Sequence, residues 1–349
     1  MSGFKSALVV SAAAVLGTVG LSQTASAADT VTFRMANWAG TAHHMYTYTL
    51  PSWFKIVDKE THGRVKIIYD KVMLTKSAGL YDLARDGVRD ITWSSGSQNP
   101  GRFPLFRFAE VPFAPLDDTV KSSEIFNNWY HLKHHLDERE MSDVKFLFSW
   151  HHGPGMLHTK KRINELSDLK GMKLRADSGD ILLAEAVGAV PVTLSAVQAY
   201  EGLQRGTVEG TFFPMEAMHS FRLVKLVHYH LKVPGRALYV GSFYVTMNKK
   251  SFDGMPADLK EPFMKAVAQG SGTVAAGWAH FDNEAAKEAK ANGNVIYTIS
   301  KEQAATWKKD VEAIGATKQI VQRAIDKGDK DAQALMTDLL KMWGDAAGS

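Results

Sequence analysis

The chain has no cysteine. Disulfides, thiolate nucleophiles and cysteine-bound metal are excluded together. It also has no block of like charge. Its 41 Lys and Arg are interspersed with 37 Asp and Glu, for a net charge of +4, so nothing in the charge pattern points to nucleic acid. Beyond residue 27 no apolar run approaches the roughly 20 residues of a membrane helix, and a chain that spans the membrane is not expected. Catalytic signatures are missing as well. There is no G-x-S-x-G elbow and no G-x-x-x-x-G-K-[ST] loop. GSGTVAAG (Gly270 to Gly277) has the wrong spacing for a dinucleotide loop and sits in a helical stretch. No nucleophile–base or carboxylate pair stands out, so a binding protein is favoured over an enzyme, and no cofactor is expected.

Histidine is plentiful, with 13 residues. His131, His134 and His135 fall at helical spacing, and His228 and His230 flank Tyr229; all read as solvated helix faces. His43-His44 and His151-His152 are adjacent pairs, and neighbours on a strand point to opposite faces, so neither pair converges on an ion. No metal site is expected.

What is present begins with a leader. Lys5, the apolar and small-residue run Ala7 to Leu21, and Ala25-Ser26-Ala27 form a secretory signal peptide over residues 1–27, cleaved near Ala27. The mature protein is expected in the periplasm. Its charge falls to +3, because only Lys5 is lost, and about 320 residues remain, enough for two domains. An exported chain without disulfides must rely on a sizeable core.

Two segments repeat one grammar. YDLARDGVRDITW (Tyr81 to Trp93) and YEGLQRGTVEGTF (Tyr200 to Phe212) each read as the end of a helix, a glycine at the C-cap and a short strand closing on an aromatic. Two α/β lobes of related construction are inferred. In the first, VTFRMAN (Val31 to Asn37) and RVKIIYD (Arg64 to Asp70) are strands flanking a helix around Leu50 to Glu60. In the second, DVKFLFSW (Asp143 to Trp150) and MKLR (Met172 to Arg175) are strands, and a helix begins at Ile181. ALYVGSFYVTMNKK (Ala237 to Lys250) reads as one strand long enough to cross between lobes. The rest is helical except for NVIYTIS (Asn294 to Ser300), and the tail GDAAGS should fray. Lobe I is assigned residues 28–152 plus about 239–280, lobe II 153–238 plus about 281–325, and 326–349 a C-terminal helix and tail.

Facing strand ends make a cleft, the usual seat of a small ligand. The strand-end residues are then its candidate lining: Asn37, Trp38, Trp93, Trp150, His151, Phe212, Phe213 and Met215, with Arg175. In LKGMKLRADSGD (Leu169 to Asp180), Met172 and Leu174 face one side of a strand, Lys173 and Arg175 the other, and Asp177 to Gly179 end it. Taken by itself, this stretch reads most simply as an arginine paired with Asp177 or Asp180.

RINELSDLKGMKLR (Arg162 to Arg175), VGAVPVTLSAVQAYEGLQRGTVEG (Val187 to Gly210), LYDLARDGVRDI and FRFAEVPF (Phe106 to Phe113) together resemble the solute-binding subunits of tripartite ATP-independent periplasmic (TRAP) transporters, the DctP-like family. The resemblance implies a two-domain periplasmic-binding-protein clamshell with crossing strands and a long helix. It also implies TRAP membrane subunits as partners and an arginine, here Arg175, that salt-bridges a ligand carboxylate. A guanidinium's fixed fork suits that group.

Departures bear on the ligand. The family's usual asparagine before a proline is replaced by Phe213 in EGTFFP, a second arginine of some relatives falls at Gly155, and Ala196 stands where some members carry phenylalanine. A polar contact is lost and an aromatic face gained. The expected ligand is a small organic acid, favoured as an aromatic or cyclic monocarboxylate. The alternatives are a betaine- or ectoine-like zwitterion, a C4-dicarboxylate or 2-oxo acid, or a sensing role in place of transport.

Overall fold

The computed structural model describes residues 30–347 apart from positions 100, 117 and 178. The leader expected at 1–27 lies outside the described residues. Eleven strands occur among those residues. They are β1 (Val31–Met35), β2 (Val65–Tyr69), β3 (Ile91–Ser95), β4 (Lys145–His151), β5 (Met156–Thr159), β6 (Lys173–Ala176), β7 (Val190–Thr193), β8 (Gly210–Phe213), β9 (Tyr229–Lys232), β10 (Ser242–Met247) and β11 (Val295–Thr298). They form two sheets, ordered β2-β1-β3-β10-β4 and β11-β9-β5-β8-β6-β7. In each sheet three parallel neighbours abut antiparallel strands: β10 lies antiparallel between β3 and β4, and β5 lies antiparallel to β8 and β9. Helices cover both sheets, and the result is two α/β lobes.

Local sequence accounts for most elements. The helix Leu50–Glu60 has Pro51 in its first turn, where no N–H is needed, and buries Leu50, Trp53 and Val57 at helical spacing. Trp53 Nε1 donates to the Ala266 carbonyl at 2.9 Å. The repeated grammar is real in three dimensions. The helices Leu80–Arg85 and Ala199–Gln204 run into Gly87 (φ +74°) and Gly206 (φ +73°), and then into β3 and β8. Glycine takes the left-handed conformation without a Cβ clash, so each helix turns sharply into its strand.

Four expectations need correction. DVKFLFSW supplies not a strand of the second lobe but β4, which pairs with β10 at the edge of the first sheet. The stretch 237–250 is not one strand, since only β10 within it is extended and paired. Residues 238–241 bond to two segments: Phe113 N–H donates to Leu238 O (2.9 Å), and the β4–β5 connection exchanges Gly155 N–H to Tyr239 O (2.9 Å), Leu238 N–H to Gly155 O (3.3 Å) and His152 N–H to Gly241 O (3.2 Å). A segment leaving one sheet for another has no single partner strand to keep a ladder. His230 sits not on a helix but on β9, buried, with its Nδ1 2.7 Å from that of His158 on β5. Gly344 to Ala347 do not fray but continue the helix Ala332–Ala347. Trp343 Nε1 donates to Ser122 O at 3.0 Å and Lys121 Nζ to Ala346 O at 2.7 Å, which fastens that last turn.

The chain passes between the lobes after β4, again after β9, and a third time along the helix Gly270–Ala291. That helix has 22 residues, a rod of about 33 Å. Gly270 lies against the Phe148 ring of the first lobe, where a Cβ would come within 2.4 Å, while Ala285 and Ala289 are buried in the second. At the first crossing Gly155 is pressed against residue 239. A Cβ there would stand 2.4 Å from the Tyr239 ring and 2.6 Å from its carbonyl oxygen. Gly155→Ala is therefore expected to destabilise the protein by about 1–3 kcal/mol, the usual penalty of overpacking. Urea unfolding measures this, and an unchanged midpoint would show that the crossing yields freely.

Candidate functional site

A cavity of about 450 Å³ lies between the lobes, with walls from both. Arg175, at the C-terminal end of β6, is 1% exposed. The flanking backbone holds its guanidinium: Nε donates to Leu194 O (2.9 Å) and Nη1 to Phe212 O (3.1 Å). Nη2 pairs with the Asp177 carboxylate. Below it the Phe213 ring lies 4.1 Å from Cζ, at cation–π distance. Three of five N–H donors are thus engaged, and two, one on each terminal nitrogen, remain for a guest.

Asp177 is the simplest partner that the sequence offered, and it is in place. Burial pushes its carboxyl above the ordinary carboxylate range; Arg175 pulls against this, and Glu110 adds to it. Asp177 also touches the other lobe, since Gln98 Nε2 donates to its Oδ2 at 3.2 Å. A lobe-to-lobe hydrogen bond therefore ends on the counter-ion of Arg175.

Aromatic rings make up much of the remaining wall. Trp38 and Trp93 line it with centroids 4.9 Å apart, and Trp93 is fixed by a 2.6 Å bond from Nε1 to Tyr69 Oη. Phe213 stacks on Phe221 at 5.7 Å, and Phe243 stacks on Trp278 at 5.2 Å. Phe221, Phe243, Trp278 and Tyr239 all line the cavity. None of these four was marked by the end-of-strand rule. Trp278 lies mid-helix, Phe221 ends a short helix, and Tyr239 and Phe243 belong to the crossing that was read as one strand.

Of the nine residues expected at the site, Arg175, Phe213, Trp38 and Trp93 line this cavity and five do not. Trp150 is on the correct sheet face but one strand further over, opposite Phe243 in the β4–β10 ladder and stacked on it at 5.5 Å. Phe212 alternates with Phe213 on β8 and enters the second lobe's core; its carbonyl, not its ring, serves Arg175. Asn37 is buried as a bracket, its Oδ1 accepting from Ala39 N–H (3.1 Å) and Tyr69 Oη (3.2 Å). Met215 lies in the core and borders a second, separate cavity beside Asp282.

His151 is buried away from the cleft with Nδ1 2.7 Å from His152 O, and it is His152 that reaches the wall. Both of its nitrogens are used, Nδ1 toward Gly153 O (2.6 Å) and Nε2 accepting from Gly241 N–H (2.8 Å). Burial lowers its pKa to about 3, so the ring is a neutral strut between pH 5 and 8.

At Gly155, Tyr239 occupies the space that any longer side chain would need. Ala196 lines the cavity from the second lobe. Beyond Phe221, His43 and Glu216 also face in. Among the described residues, no helix is long and apolar enough to cross a membrane.

Comparison with known proteins places this geometry. The profile of bacterial extracellular solute-binding protein family 7, DctP, matches residues 35–321. The fold superposes on a TRAP solute-binding protein from Rhodoferax ferrireducens, determined with copurified benzoate, with a TM-score of 0.84 and 28% identity over 91% of this chain and 99% of that one. A TRAP periplasmic solute-binding protein from Bordetella bronchiseptica with bound (R)- and (S)-mandelate gives 0.81 and 26%, over 90% and 99%. In sequence, the C4-dicarboxylate-binding periplasmic protein DctP of Rhodobacter capsulatus is 30% identical over 50% of this chain and 52% of its own length. The match spans about half to two thirds of such curated relatives. With two α/β lobes around a shared cavity and a family profile covering most of its length, the chain belongs to the DctP family of TRAP solute-binding proteins.

Proposed function

We propose that the protein captures a small aromatic or cyclic monocarboxylate in the periplasm, closes on it and delivers it to TRAP membrane subunits. The lobe boundaries read from the sequence form part of this proposal. The observation that carries it is the state of Arg175. A guanidinium buried at the floor of a ring-lined cavity has two N–H groups to spare, and among the described residues only one carboxylate, Asp177, lies within ion-pair reach. An incoming carboxylate takes up those donors, and its flat body packs against the wall of rings formed by Trp38, Trp93, Phe243 and Trp278. Relatives of the same fold hold benzoate and mandelate. For a dicarboxylate the cavity offers, besides Arg175, only Lys76 at its exposed rim, and no second buried cation among the described lining residues. Ligand-driven closure follows if the acid binds the closed arrangement better than the open one.

Asp177 gives a second reading a foothold. A cyclic amino or imino acid would set its carboxylate on Arg175 and its N–H on the Asp177 oxygen.

Two predictions separate these readings. In thermal-shift and calorimetric assays, benzoate, phenylacetate or mandelate raises the melting midpoint, and Arg175→Ala removes the response. A ligand at 100 times its Kd adds about 2.7 kcal/mol, so a silent screen would reject the aromatic reading. The second prediction concerns pH. Burial already holds the Asp177 carboxyl high, and a bound anion beside it raises it further, so binding takes up protons. Affinity for an aromatic acid is expected to rise as pH falls from 8 to 5, by at most about tenfold per unit for one proton, and Asp177→Asn should flatten that slope. If Asp177→Asn instead abolishes binding of every monocarboxylate while a cyclic amino acid binds the native protein, the second reading is correct.

A further inference from the structure

The end of the cavity away from Arg175 holds two polar groups that no role yet accounts for. His43 is 2% exposed and Glu216 1%, and both line the cavity. Two rings separate them from the guanidinium. Arg175 rests on Phe213, Phe213 stacks on Phe221, and the His43 ring meets Phe221 edge-on at 5.3 Å. The charged and titratable groups bearing on His43 are His44, Glu216 and His219, whereas Arg175 bears on His152.

Their hydrogen bonding leaves one donor and one acceptor open. Met45 N–H donates to His43 Nδ1 at 3.1 Å. That nitrogen must carry its lone pair, so the neutral ring holds its proton on Nε2. Burial keeps the ring neutral, lowering its pKa to about 3. Glu216 Oε2 accepts from Ser220 Oγ at 2.7 Å and faces His44 Nε2 at 3.2 Å. No hydrogen bond among the described residues occupies His43 Nε2 or Glu216 Oε1. A ring nitrogen of His43 and a carboxylate oxygen of Glu216 lie within 4.8 Å of one another, yet they form no direct hydrogen bond or ion pair. One oxygen atom placed between them would sit at about 2.7–3.0 Å from each.

We propose that His43 and Glu216 form a hydroxyl-binding subsite, so that the preferred ligand is an aromatic acid bearing a ring hydroxyl distal to its carboxylate. This rests on the aromatic-acid reading of the Arg175 site and adds a specificity element to it. A hydroxyl oxygen accepts from His43 Nε2–H while its own O–H donates a hydrogen bond to Glu216 Oε1, so both buried groups are satisfied by one small substituent. A second carboxylate would face the Glu216 carboxylate, and an ammonium would face the His43 N–H. A metal ion bound by His43, His44 and Glu216 fits poorly. It would need the lone pair on His43 Nε2, which moves the proton to Nδ1, directly against Met45 N–H.

The test is calorimetry on the native protein with matched acids: benzoate and phenylacetate, their 3- and 4-hydroxy forms, and isophthalate and terephthalate, which carry a second carboxylate instead. At least one hydroxylated acid is expected to bind about tenfold or more tightly than its parent, and the dicarboxylates more weakly than either. His43→Phe, which keeps a ring against Phe221, should bring the hydroxyl-to-parent affinity ratio close to one. A parent acid that binds with no gain from any hydroxyl overturns the subsite and leaves the Arg175 reading standing. So does a gain that survives His43→Phe, or zinc binding that His43→Phe abolishes. If neither parent nor hydroxylated acids bind, both readings fall.

Discussion

Everything in the cleft is arranged around a guanidinium that cannot lose its charge. Arginine stays protonated in any protein environment, so burying Arg175 obliges the surrounding fold to supply acceptors. Two come from backbone carbonyls, Leu194 and Phe212, which ties the side chain to β8 and to the loop after β7. The third is Asp177, two residues on in the same chain. A buried charge left without partners would cost several kcal/mol. The strand ends of the second lobe are thus held by one side chain, and the cavity floor is rigid before any ligand arrives. Binding in the proposed mode then adds a second carboxylate beside Asp177, on the two donors that Asp177 and the carbonyls leave open, which limits affinity and couples it to protons.

The aromatic rings add selectivity of a different kind. Phe213 is the platform of the arginine as well as part of the wall, so one ring supports the cation from below and shapes the cavity. Trp150 and Phe243 stack side by side across β4 and β10, and Trp278 stacks on Phe243 from the long helix. Trp150 is packed against three other rings, Trp93, Phe148 and Phe243, which fixes the base of the wall. Stacked pairs of this sort add about 0.5–1.5 kcal/mol beyond area burial, and a flat ligand extends the stack.

Local periodicity made much of this legible. Strands β1 and β2, the helix between them, and the twin glycines at 87 and 206 could be placed from residue spacing alone, because each depends on neighbours a few positions away. Arg175 and Phe213 were legible through motif and alternation. The strand-end rule went astray where it took consecutive residues together: Phe212 and Phe213 cannot both face the cleft, and of His151 and His152 only the second does. Phe243, Trp278 and His43 were illegible for another reason. They reach the cavity from the crossing segment, a long helix and a helical entry turn, and only tertiary packing brings those elements together. The adjacent pair His43-His44 was judged as though on a strand. At the start of a helical turn both rings point inward, 4.5 Å apart.

The helix Gly270–Ala291 has a mechanical meaning. Its first turns are locked against Phe148 in one lobe and its last against the core of the other, while Trp278, between the two, forms part of the cavity wall. A rod clamped at both ends does not swing; it bends, and a bent rod stores a restoring force. In the proposed closing motion this helix therefore flexes along its length, and the Trp278 indole in the cavity wall moves with its curvature.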